Sequence, residues 1–158
     1  MMIQPYEVDR DWITLASRSV ICVLAMLSSE GLAGSWWRVV YFIDNRQNNN
    51  AYPFYERIKK IVEPLPGTTI SLRFLEDQLG GSGGCNDYFG RYEIENGSLQ
   101  ITERGNSVMA CPEPSGLMEQ EALYFIALRS VTAYRVDGDY LELRNAEDEI
   151  AVSLVRVP

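Results

Sequence analysis

Apolar and polar positions alternate strictly on both sides of one Asn-Gly pair. Tyr92 and Ile94 interleave with Arg91, Glu93 and Glu95, and after Asn96-Gly97 come Leu99 and Ile101 between Ser98, Gln100 and Thr102. Both turn positions of such a pair favour positive φ, so the pattern predicts a β-hairpin. Asn96-Gly97-Ser98 also spells an N-glycosylation acceptor, but the turn accounts for the same residues. Ile70, Leu72 and Phe74 alternate with Thr69, Ser71 and Arg73 as a half-buried strand. Residues 35–42, SWWRVVYF, form a first strand rich in aromatic and β-branched side chains, with Trp36 and Trp37 on opposite faces. Val131–Val136, Tyr140–Arg144 and Ile150–Val157, separated by Asp137-Gly138 and a turn near Asn145, read as a three-stranded meander.

Between hairpin and meander the period changes from two to that of a helix. Met118, Ala122, Phe125 and Ile126 fall on one stripe of a helix over residues 115–130, with Ser115 as N-cap. Glu119, Gln120 and Glu121 are then expected on the solvent side, where carboxylates suit the helix dipole. A second, shorter helix starting at Pro53 would carry Phe54, Ile58, Ile61 and Val62 and stop at Pro64 and Pro66. It belongs to a polar insertion, residues 44–66, that would act as a lid or as surface packing.

Gly80, Gly81, Ser82, Gly83 and Gly84 predict a sharp bend or bulge rather than a strand interior. They do not form a phosphate cradle, because Asn86 stands where a last glycine would fall and no lysine follows. Six or seven strands with one main helix leave too few crossovers for a parallel sheet. The expected class is α+β, β-dominated: a curved antiparallel sheet or open half-barrel with one main packed helix.

Composition narrows the chemistry. The 158-residue chain carries 14 basic and 22 acidic side chains, a net charge of −8. Its only lysines, Lys59 and Lys60, make no basic patch, which argues against a nucleic-acid partner. The absence of histidine removes Ser-His-Asp and Cys-His nucleophiles and ordinary zinc sites. The acidic turns at Asp137, Asp139, Glu147, Asp148 and Glu149 lack the spacing of a calcium loop. No cofactor and no metal is expected.

Residues 1–34 read as an N-terminal extension and residues 35–158 as the domain. The apolar run Val20–Leu27 is far shorter than a membrane span, so no transmembrane segment is expected. The acidic Glu7, Asp9 and Asp11 before it make a poor signal peptide, and Ser19-Val20-Ile21-Cys22 is not a lipobox. Translation starting at Met26 and a peripheral helix are the remaining readings.

The segments GSGGCNDYFGRYE (82 on the serine) and VMACPEPSGLMEQEALYFIAL resemble the META domain, or HslJ-like, family. Gly84, Cys85, Asn86, Tyr88, Phe89, Gly90 and Tyr92 match its first motif. Met109, Ala110, Cys111, Pro112, Met118, Glu119, Gln120 and Glu121 match its second. The resemblance spans about residues 35–157. Where many members carry Thr-Arg or Thr-Lys before the second cysteine, this chain has Ser107-Val108. The resemblance implies a Cys85–Cys111 disulfide. Two reduced, buried thiols are the alternative, since an oxidising compartment is required for the bond.

The resemblance further implies an envelope or secreted location and loose association with heat shock, antibiotic tolerance or virulence. It implies a non-catalytic module that binds a hydrophobic ligand or protein segment in the mouth of the half-barrel. Trp36, Trp37, Tyr88 and Phe89 are the residues expected to line it. The alternative is a protein-interaction or protease-inhibitor module presenting the loop Glu103–Pro114. An enzyme built on Glu119 and Glu121 is a third reading, against which the chain is expected not to be an enzyme.

Overall fold

The computed structural model describes residues 32–44 and 59–158. Nine strands occur in chain order: β1 (Trp36–Asp44), β2 (Lys60–Val62), β3 (Ser71–Phe74), β4 (Gln78–Ser82), β5 (Asp87–Glu95), β6 (Ser98–Asn106), β7 (Ala133–Asp137), β8 (Tyr140–Arg144) and β9 (Ile150–Arg156). Among the described residues one helix occurs, α1 (Leu117–Arg129), between β6 and β7. Every pairing is antiparallel. The strand order is β2-β1-β3-β4-β5-β6-β7-β8-β9, and β1 also pairs with β9, so the curved sheet returns on itself as a ring. The expected β-dominated α+β class, with one packed helix, is what forms.

Alternation decides what fills the ring. Trp37, Val39 and Phe42 of β1, Ile70, Leu72 and Phe74 around β3, and Tyr88 and Tyr92 of β5 all point inward. From the opposite wall come Leu141, Leu143, Val152 and Leu154. Edge-to-face pairs knit the aromatics together, with ring centroids 5.0 Å apart for Phe74–Tyr92 and 5.3 Å for Tyr88–Phe125. Leu32 is fully buried in this core, so the packed domain includes residues ahead of β1.

The weakest seam is β6–β7, paired only at Ser98 and Ala133, with the Leu99 N–H donating to Thr132 O at 2.9 Å. Beyond it α1 packs against β6, and Arg129 meets Glu103 at 3.1 Å. The hairpin turns as expected on Asn96 (φ 50°) and Gly97 (φ 83°).

The strand count is higher than expected because β2 and β4 were not foreseen. Lys60, Ile61 and Val62, expected in a helix, pair instead with Asp44, Ile43 and Phe42. Residues 53–58 of that expected helix and residues 1–31 lie outside the described residues. Gly80 and Gly81, expected in a bend, are strand interior in β4, opposite Phe89 and Tyr88. Their glycine character reflects close backbone approach: a Cβ on Gly81 would collide with the Ser71 carbonyl of the neighbouring strand. Gly81→Ala is expected to cost about 2 kcal/mol by forcing β3 and β4 apart. Urea denaturation of the variant checks this, and an unchanged midpoint would contradict it.

Candidate functional site

The first motif ends β4 and begins β5, and the second runs from the loop after β6 into α1. The fold brings them together. Gly83 and Gly84 turn the chain, Gly84 at φ 113°, so the Cys85 and Asn86 N–H groups face α1. Both donate to one carboxylate oxygen: Cys85 N is 3.1 Å and Asn86 N 2.6 Å from Glu121 Oε2. Asn86 Nδ2 donates to the other, Glu121 Oε1, at 2.7 Å. Glu121 is only 4% exposed. It acts as an anchor that satisfies three donors at the bend.

Asn86, itself buried, then carries the contact outward. Its Oδ1 accepts from Met109 N at 2.6 Å and from Ser107 Oγ at 3.0 Å, while Nδ2 also donates to Met109 O at 3.3 Å. Ser107 Oγ accepts from Asp87 N at 3.1 Å. The Cys85–Cys111 disulfide closes the loop two residues later, across a separation of 26 residues. Residues 106–110 are therefore held from below while their side chains stay exposed, Val108 to 94%. The Ser107-Val108 pair that departs from the family pattern lies in this clamped loop.

The buried stripe of α1 is Leu117, Gln120, Glu121, Tyr124, Ala127 and Leu128, with Leu123 and Phe125 beside it. This corrects the expected stripe. Of Met118, Ala122, Phe125 and Ile126 only Phe125 is buried, and Gln120 and Glu121 face inward rather than to solvent. Glu119 alone of the three is exposed. The missed signal was spacing: residues 117, 120, 121, 124, 127 and 128 follow the i, i+3, i+4, i+7 series once two polar residues are admitted. Gln120 Oε1 accepts from Leu65 N at 2.6 Å, while its Nε2 has no hydrogen-bond partner. Ser115 is not the N-cap. Gly116 takes that place at φ 89° without a side-chain cap, and Leu117 N donates to Pro114 O at 3.1 Å.

The other motif residues are structural. Tyr92 Oη is 2.6 Å from Leu75 O, closing the β3–β4 turn. Gly90 sits beside a bulge, where a Cβ would come within 2.5 Å of Thr102 O. Met109, Ala110, Pro112 and Met118 are exposed around the clamp.

The four residues expected to line an apolar mouth are not brought together. Trp37 is fully buried, donating its indole N–H to Ser35 Oγ at 2.6 Å. Tyr88 is buried beneath α1, donating to Ser71 O at 2.9 Å and meeting Tyr124 Oη at 2.7 Å. Trp36 and Phe89 point to the outer face of the sheet. Alternation along each strand separates the two pairs.

Burial pushes the Tyr88 phenol well above its ordinary value, with the adjacent Tyr124 raising it further. Burial likewise raises Tyr124. Folded-state values above the unfolded value of about 10 give a stabilising contribution that is complete below that pH. It is lost as pH rises above about 10, where the unfolded tyrosines ionise and the folded ones resist. Thermal midpoints should hold up to that pH and fall beyond it, and Tyr88→Phe should flatten the fall. At neutral pH Tyr88→Phe should cost about 1–3 kcal/mol, because the Ser71 carbonyl and Tyr124 hydroxyl lose a partner. Guanidinium titrations at both pH values check the pair of effects.

Among the described residues no group of histidine, cysteine and carboxylate side chains is arranged to hold a metal ion. No helix there is long and apolar enough to cross a membrane.

No curated protein matches the chain. An NMR structure of a protein from Burkholderia xenovorans is 18% identical with a TM-score of 0.58, over 99% of this chain and 94% of that one. A crystal structure of a DUF4847-family protein from Bacteroides vulgatus is 15% identical with a TM-score of 0.48, over 81% of this chain and 96% of that one. The first supports the fold alone. The family model for the META domain matches residues 32–157, which include both motifs and every residue of the clamp. The chain belongs to the META domain family.

Proposed function

We propose that the domain is a non-catalytic binding module that presents the loop between β6 and α1 to a protein partner. The observation that carries this reading is the clamp. Val108 and Met109 are apolar and exposed, 94% and 54%, on a loop fixed by a disulfide and by the Asn86 amide. Apolar side chains on a preorganised loop lose little entropy on binding. A mouth-bound hydrophobic ligand is less well supported, since Trp37 and Tyr88 belong to the core. Glu121, the one buried carboxylate among the described residues, has both oxygens engaged by backbone and amide donors, which suits a scaffold rather than a reaction. An oxidising compartment, where the disulfide persists, completes the reading.

A photo-cross-linking residue placed at position 108 tests it in the native host. A discrete protein adduct is expected there, abolished by Asn86→Ala with Cys111→Ala, and absent when the probe replaces exposed Tyr140 on β8. Equal labelling from both positions would remove the proposal.

A further inference from the structure

The outer face of the sheet carries a feature that neither the clamp nor the core uses. Cross-strand register aligns Trp36 with Arg73, Arg73 with Gly80, and Gly80 with Phe89, one lateral row over β1, β3, β4 and β5. Trp36 is 43% and Phe89 60% exposed. The Arg73 guanidinium lies 5.1 Å from the Trp36 ring centroid. Phe89 leans the other way, onto Gly105, where an added Cβ would meet its ring at 3.1 Å. Gly80 thus leaves a bare floor between two aromatic walls. Arg38, two residues along β1, and Arg91, two residues along β5 in the opposite direction, face outward on either side of the row.

Among the described residues none of Arg38, Arg73 and Arg91 is ion-paired with a carboxylate. On β5 the first outward carboxylates to either side of the row are Asp87 and Glu93. On ordinary sheet spacings the diagonal from Arg38 through Arg73 to Arg91 spans roughly 20 Å, the length of about six extended residues.

We infer that this face binds an acidic, extended segment of a partner protein. Its carboxylates would meet Arg38, Arg73 and Arg91, and its apolar side chains would rest on Trp36, Gly80 and Phe89. Arginine suits this role, since its planar fork pairs carboxylates bidentately while stacking on an aromatic ring. A short segment fits better than a nucleic acid or an anionic membrane, because the net charge of −8 repels an extended polyanion as a whole. The inference stands apart from the loop proposal, as it uses other residues on another surface.

The probe is a fluorescein-labelled hexapeptide alternating Glu and Val, read by anisotropy against the full chain. Its Lys-for-Glu counterpart, oligo-dT and phosphatidylglycerol vesicles serve as comparisons. The acidic peptide is expected to bind at least tenfold more tightly than the lysine peptide, with affinity falling as salt rises and Trp36 emission changing on binding. The combined Arg38→Gln, Arg73→Gln, Arg91→Gln variant should lose about tenfold in affinity with its thermal midpoint unchanged. Arg135→Gln on β7 should change nothing. Equal affinity for the two peptides, wild-type binding by the triple variant, or stronger binding to vesicles or oligo-dT would overturn the inference.

Discussion

Glu121→Ala is expected to lower the unfolding free energy by roughly 3–6 kcal/mol, a large share of the 5–15 kcal/mol that holds an ordinary domain. The size follows from what the substitution strands. Cys85 N, Asn86 N and Asn86 Nδ2 all donate to this carboxylate, and the two backbone donors sit at a glycine bend packed against α1. Each buried donor left without an acceptor costs about 1–3 kcal/mol. Space adds a second constraint, because a Cβ on Gly83 would come within 2.8 Å of the Glu121 side chain, so bend and carboxylate are fitted to each other. Glu121→Gln should fall between, since its single carbonyl can serve the backbone donors or the Asn86 amide but not both. Exposed Glu119→Ala, two positions away, should cost much less than Glu121→Ala, because it strands no buried donor. Urea denaturation of the three variants gives the ranking, and near-equal effects at 119 and 121 would show that the anchor contributes nothing special.

Removing the disulfide with Cys85→Ala and Cys111→Ala should cost roughly 3.5 kcal/mol, the chain-entropy value for a loop of this length. The variant should nevertheless keep its fold. Asn86 still holds Met109 through three hydrogen-bonding contacts with Ser107 and the Met109 backbone, so the loop loosens rather than detaches. Hydrogen exchange makes that concrete: the Met109 amide should exchange faster without the disulfide, and faster again when Asn86→Ala is added. Sulfur tie and carboxylate both fasten the same bend to the entrance of α1. Their removal should therefore be non-additive by about 0.5–3 kcal/mol in a double-mutant cycle with Glu121→Ala. Strict additivity would mean that the two restraints act independently.

Much of the architecture could be read from the residues, because it rests on local signals that structure rarely overrides. Asn96-Gly97 fixes the hairpin turn through positive φ, and the alternation of Ile70, Leu72 and Phe74 fixes which face of that strand is inside. Short elements were harder. β2 is three residues long and three of the five residues of β4 are glycine or serine, so neither has a periodic pattern, and both exist only because neighbouring strands supply partners. The site was legible as a motif but not as geometry. Polar Gln120 and Glu121 read naturally as solvent-facing, but Glu121 turns inward to the donors of a bend 35 residues away in sequence, and Gln120 to the Leu65 N–H. Helical spacing from Leu117 to Leu128 carried that information, but hydrophobicity outweighed it. Trp36 and Phe89 are exposed, and grouping them with buried Trp37 and Tyr88 as one lining ignores the alternation that puts each pair on its own side of the sheet.

The pairing of β1 with β9 ties together segments more than a hundred positions apart, Trp37 with Arg156 and Phe42 with Val152. During synthesis β1 emerges early but must wait for its partner until residues 150–156 have left the ribosome. In that interval one side of β1 is a bare, apolar template on which a foreign strand could add. A stop codon ahead of residue 150 would leave that edge open permanently, a site for strand addition and aggregation.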